Sequence, residues 1–117
     1  MPNRNNILLL EDILEAIQDI ETFTFGITYD EFAADKKTFN AVIRSFTIIG
    51  EAANRISIDF TTAYNEIEWH KVISFRNRLV HEYFGIDYEM VWEVTKNYLS
   101  KLKEYIISVL NELDSKQ

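Results

Sequence analysis

Apolar residues recur at three- and four-residue steps along nearly the whole chain, which leaves little choice of fold class. Leu10, Ile13, Leu14, Ile17 and Ile20 form one such stripe. Phe39, Val42, Ile43, Phe46, Ile49, Ala53 and Ile56 form a second, and Val91, Thr95, Tyr98, Leu102, Tyr105, Val109 and Leu113 a third. That period is the signature of amphipathic helices. Stop and start signals fall between the stripes. Gly26 closes the first helix, Thr28-Tyr29-Asp30-Glu31 has the form of a capping box, and Asp35 and Asp87 are candidate N-caps. Residues 57–67 read as a connector with one helical turn, and a further helix runs from about Glu68 to Tyr83, before Gly85. With only three Gly and one Pro, a turn-rich β fold is excluded. The expectation is one all-α domain over residues 1–117, an antiparallel bundle of four to five helices.

Composition narrows the function classes. The absence of cysteine excludes disulfide scaffolds, thiolate zinc sites and cysteine nucleophiles. No apolar run reaches the ~18 residues of a membrane span, and Ile7 to Leu10 is too short for a signal peptide. A cytoplasmic protein is expected. The net charge of −7 is unevenly placed. Residues 1–35 hold eight acids and one base, whereas residues 36–117 hold 11 of each. The acidity belongs to the first helix and the loop after it, which makes that surface a poor phosphate-tracking groove.

The segment from Trp69 to Tyr83 departs from the apolar pattern. On a helix, Trp69, Val72, Ile73, Arg76, Val80 and Tyr83 share one stripe, so Arg76 stands where an apolar residue belongs. A buried guanidinium must be paired or face a cleft, because leaving it unpaired costs several kcal/mol. Beside it His70, Ser74, Asn77 and His81 form a polar stripe. The segment carries three of the 12 Lys and Arg and one of the 19 acids, so it is a local positive patch on an acidic protein. Arg76 and His81 are five residues apart, about 140° round an ideal helix. A long Arg side chain, a distorted helix end, or a second copy of the helix must bring them together.

With these residues the chain resembles the HEPN superfamily, and within it the HepT-like toxins of toxin–antitoxin pairs. The signature is an Arg followed by a polar residue, then His, then Tyr two positions on. Arg76-Asn77, His81 and Tyr83 match it as an RX4HXY motif. Ala41-Val42-Ile43-Arg44, Ile49-Gly50-Glu51-Ala52, Trp69 and His81-Glu82-Tyr83-Phe84-Gly85 extend the likeness over nearly the whole chain. The stretch Asn65-Glu66-Ile67-Glu68-Trp69 departs from it, since prolines are expected before Ile67 and Trp69.

The resemblance implies a homodimeric bundle with ribonuclease activity and neither metal nor other cofactor. It implies Arg76 and His81 as catalytic residues, Asn77 as their support, and RNA as substrate. It also implies a partner, a minimal nucleotidyltransferase acting as antitoxin, that transfers AMP to Tyr83. The chemistry suits the residue types. RNA supplies its own nucleophile, the 2′-hydroxyl. Histidine is the side chain that moves protons near neutral pH, and a guanidinium grips a phosphate bidentately. No His, Asp or Glu set has metal-ligand spacing. Two alternatives stand beside this reading. One is a non-catalytic nucleotide- or partner-binding module, which the acidic first helix favours. The other is a structural protein in which Arg76 pairs with Glu51, on a polar stripe with Arg44 and Arg55.

Overall fold

The computed structural model describes residues 4–82 and 85–115. Seven helices make up the described residues: α1 (Arg4–Thr24), α2 (Tyr29–Ala34), α3 (Lys36–Arg55), α4 (Ile58–Ala63), α5 (Trp69–His81), α6 (Tyr88–Asn97) and α7 (Leu99–Ser115). The fold is an all-α bundle.

The terminators act as their residue types dictate. Gly26 adopts φ +73, the left-handed conformation that ends a helix without a Cβ clash. The Thr28 hydroxyl accepts from the Glu31 N–H at 3.2 Å, and the Glu31 carboxylate accepts from the Thr28 N–H at 2.9 Å, a reciprocal cap on α2. Asp35 caps α3 by accepting from the Lys37 and Thr38 N–H groups, and its side chain also takes the Thr38 hydroxyl proton at 2.7 Å. The Thr38 bonds hold its carboxyl below the usual aspartate range.

Helix α3 is the spine, with α1 on one flank and α5 on the other. Leu10, Ile13, Ile17 and Ile20 of α1 are buried with Val42, Phe46, Ile49 and Ala53 of α3. Their antiparallel sense shows in a polar contact. Buried Asn6, at the start of α1, donates to the Ser57 hydroxyl and accepts from the Ser57 N–H just past α3, both at 3.2 Å. Near the other end of α1, Glu21 meets Lys103 of α7 at 2.8 Å. Asn6→Ala should lower stability by about 1 kcal/mol, because it removes the two hydrogen bonds that the buried amide makes to Ser57; chemical denaturation checks this, and an unchanged midpoint would refute it.

Two expectations need correction. The last long helix is broken at Tyr98 into α6 and α7. The break is the single residue Tyr98, whose N–H still reaches the Val94 carbonyl at 3.0 Å, and one turn earlier the buried Thr95 hydroxyl bonds back to the Val91 carbonyl at 2.8 Å. Val91 and Leu99 are buried on either side of it, and α6 packs against α2 and α7. With the one-turn α2 and α4, this makes seven helices rather than four or five. On α5, Leu79 and not Val80 continues the buried stripe: Leu79 is 1% exposed and Val80 46%.

An aromatic cluster ties down the start of α6. Tyr88 stacks on Phe39 with centroids 3.8 Å apart, and Phe32 packs against Phe39, Tyr88 and Trp92. The start of α6 is therefore anchored to the corner of α2 and α3.

Candidate active site

Helix α5 is set in place before its polar residues are. The Trp69 indole N–H donates to the Tyr64 carbonyl at 3.0 Å, fixing the first turn. That bond holds the segment in which prolines were expected. Trp69, Val72 and Leu79 are buried, and Phe75 meets Phe46 of α3 edge to face at 5.1 Å. Between these anchors α5 crosses α3 where Arg76 meets Gly50. A Cβ on Gly50 would overlap the Cβ and Cγ of Arg76. The glycine is thus what allows the aliphatic stem of Arg76 to lie flat on the backbone of α3. This contact explains how a guanidinium occupies a core-facing register: the stem is packed and the head emerges beyond it.

The head is oriented by two acceptors. Nη1 donates to Asn77 Oδ1 at 2.9 Å, and Nη2 faces Glu51 Oε1 at 3.4 Å. A guanidinium has no acceptor, so the Asn77 atom that meets it must be the oxygen. Nε is buried without a partner among the described residues. The Arg76 side chain is 29% exposed and that of Glu51 54%. At 3.4 Å this pair is longer than the ~2.7–2.9 Å of a tight charge-assisted bond, and solvent screens it. Glu51 orients Arg76 without consuming its capacity to bind an anion.

His81 is the last residue of α5 and is exposed. Among the described residues no hydrogen bond or ion pair joins it to Arg76 or Asn77. The polar stripe of His70, Ser74, Asn77 and His81 faces solvent. Arg78 pairs with Glu82 at 3.0 Å alongside it. The structure thus bonds Arg76 to Asn77, while His81, one turn beyond Asn77, bonds to neither. Asn77 supports the guanidinium rather than the imidazole. Tyr83 lies outside the described residues.

Next to Glu51 a groove of ≈ 460 Å³ runs between α3 and α5, lined among others by Asn40, Arg44 and Thr47 on one wall and Leu79 and Val80 on the other. Sequence reasoning placed Arg44 and Glu51 on one polar stripe, but it gave no hint that the stripe would wall a groove. A separate, mostly apolar cavity of ≈ 200 Å³ lies where Val72 and Phe75 of α5 look toward Val94, Tyr98 and Leu102. Burial there raises the Tyr98 hydroxyl above its ordinary pKa. No three His, Asp or Glu residues among those described gather as metal ligands.

Comparison with known proteins gives the family. The model of the family described as "Ribonuclease HepT-like" matches residues 13–109. A protein of Thermococcus cleftensis named "Probable ribonuclease HepT" is 46% identical over 94 residues, covering 80% of this chain and 86% of the relative. One of Methanocaldococcus jannaschii named "Putative RNase MJ0127" is 39% identical over 114 residues, covering 97% and 94%. No solved structure matches the chain at a significant level. A family match of this extent, over a bundle that mounts the Arg76, Asn77 and His81 motif on α5, places the chain in the HepT-like ribonuclease family.

Proposed function

We propose that this chain is a metal-independent endoribonuclease, the toxin of a HEPN and minimal nucleotidyltransferase pair, silenced by AMP transfer to Tyr83. The observation that carries the reading is Arg76: an oriented, loosely paired guanidinium, with an unencumbered His81 at the end of the same helix. In the reaction the substrate's 2′-oxygen attacks the adjacent phosphorus and gives up its proton. The bond to the 5′-oxygen breaks and that oxygen takes a proton. Arg76 stabilises the charge on the non-bridging oxygens, and His81 handles a proton. One His81 cannot serve both oxygens at once. A homodimer that apposes two α5 helices supplies two, and closes the angular gap between Arg76 and His81. The products carry 2′,3′-cyclic phosphate and 5′-hydroxyl ends. AMP on Tyr83 sets an anion beside Arg76 and competes with the substrate phosphate.

Purified protein is expected to cleave RNA undiminished in EDTA, leaving 2′,3′-cyclic phosphate. Intact mass after co-expression with the neighbouring nucleotidyltransferase should rise by one or more AMP units, with cleavage lost, and neither change should occur in Tyr83→Phe. Cleavage abolished by chelation, or 3′-hydroxyl products, refutes the chemistry; unchanged mass refutes the control. A second reading, a nucleotide- or partner-binding module without turnover, draws on the exposed acids of α1, Glu11, Asp12, Glu15 and Asp19. Nucleotide binding with no cleavage of RNA decides for it.

A further inference from the structure

Arg44 lies seven residues before Glu51 on α3, two turns away on the same face and about 10 Å along the axis. Glu51 is the residue that Arg76 touches. Arg44 and Glu51 both line one groove, Asn40 and Thr47 add polar groups on its α3 wall, and Arg76 adjoins it through Glu51. Arg44 is exposed and has no hydrogen bond or ion pair with any described residue. Within that lining it is the only cationic side chain.

About 10 Å of helix separates Arg44 from the Glu51 end of the groove, where Arg76 stands. That separation suits a ligand that carries negative charge at intervals along a chain. From this we infer that Arg44 is a phosphate-binding residue of an extended single-stranded RNA site. It holds a backbone phosphate beside the one at Arg76, and so sets a preference for polynucleotide over mononucleotide substrates. The inference rests on the ribonuclease reading. The groove's other wall, Leu79 and half-exposed Val80, offers apolar surface on which a base or ribose can lie. Glu51 sits between the two cations with its charge turned to Arg76. It keeps a third phosphate away from the middle of the groove, which sharpens the register of the strand.

The test is binding of a fluorescent ten-nucleotide single-stranded RNA across a salt series, with His81→Ala as the background so that the RNA survives. Arg44→Gln in that background should weaken binding about tenfold at low salt. It should also reduce the slope of log affinity against log salt by about 0.7, the value for one lost contact to a single strand. Arg44→Lys should restore most of the slope, because it keeps the charge. Arg44 is exposed, so thermal melting of each variant should match the background and separates a folding defect from a lost contact. An unchanged slope in Arg44→Gln, or no measurable binding by the background protein, overturns the inference. Cleavage by the wild-type chain is measured in parallel. Cleavage with a slope indifferent to Arg44 removes the inference and leaves the ribonuclease reading. An Arg44-dependent slope without wild-type cleavage does the reverse.

Discussion

Replacing Gly50 with alanine is expected to lower stability by about 2 kcal/mol and to cut RNA cleavage by about a hundredfold. Helix propensity alone argues the other way, since alanine gains about 1 kcal/mol over glycine in a helix interior. The overlap decides the sign. The added methyl group would meet the Cβ and Cγ of Arg76, atoms held by the backbone of α5 and not the free end of a side chain. Relief requires α5 to move off α3, and that move carries Arg76 away from Glu51 and disturbs the buried Val72 and Leu79. Denaturant unfolding and a cleavage assay read the two effects. Arg76→Gly in the Gly50→Ala background should recover stability but not cleavage, because it removes the clashing atoms together with the guanidinium. A Gly50→Ala protein as stable and active as the wild type would show that the two helices do not touch here.

Loss of either motif residue should separate activity from stability. Arg76→Met keeps an unbranched stem over Gly50 and removes the charge. Its stability should change by no more than about 1 kcal/mol, because the ion pair with Glu51 is long and solvent-screened. Cleavage should fall about 10²–10³-fold, the usual cost of removing a group that stabilises developing charge. Arg76→Lys should remain impaired, since an ammonium lacks the planar fork. His81→Ala should lose about 10²–10⁴-fold in rate with stability unchanged, because its side chain is exposed and bonds to nothing described. A protein that unfolds on losing Arg76 while the refolded fraction still cleaves RNA would assign Arg76 to structure alone.

Much of the bundle was readable because local rules and tertiary packing agree. Thr28, Asp35 and Asp87 cap the helices they precede, and Gly26 ends the one it follows. The break at Tyr98 was not readable. The chain there keeps an unbroken apolar period, and no Gly or Pro stands within it to mark a break. The exchange of Leu79 for Val80 has a similar origin. Both are apolar and adjacent, and only the exact rotation of α5 on α3 tells them apart. That rotation depends on Gly50, 26 positions away in the chain. At the site, the residue type singled out Arg76, a guanidinium in an apolar register, and the structure packs its stem on α3. Glu51 was named as a possible partner from its stripe alone. The Gly50 contact and the groove at Arg44 were hidden, since both are properties of two helices taken together.

The placement of α3 between α1 and α5 has an electrical consequence. The acids of α1 stand on one flank of α3 and Arg76 and Arg78 of α5 on the other, so the molecule carries a dipole across its spine. Near a polyanion the acidic flank is pushed away and the groove turns inward, over distances up to the ~10 Å screening length of 0.1 M salt. The net charge of −7 opposes lingering contact with nucleic acid in general. For the ribonuclease proposed here, the uneven charge then acts as a filter on encounters. Strands that meet the wrong flank leave quickly, and only those presented to the groove stay long enough to be cut.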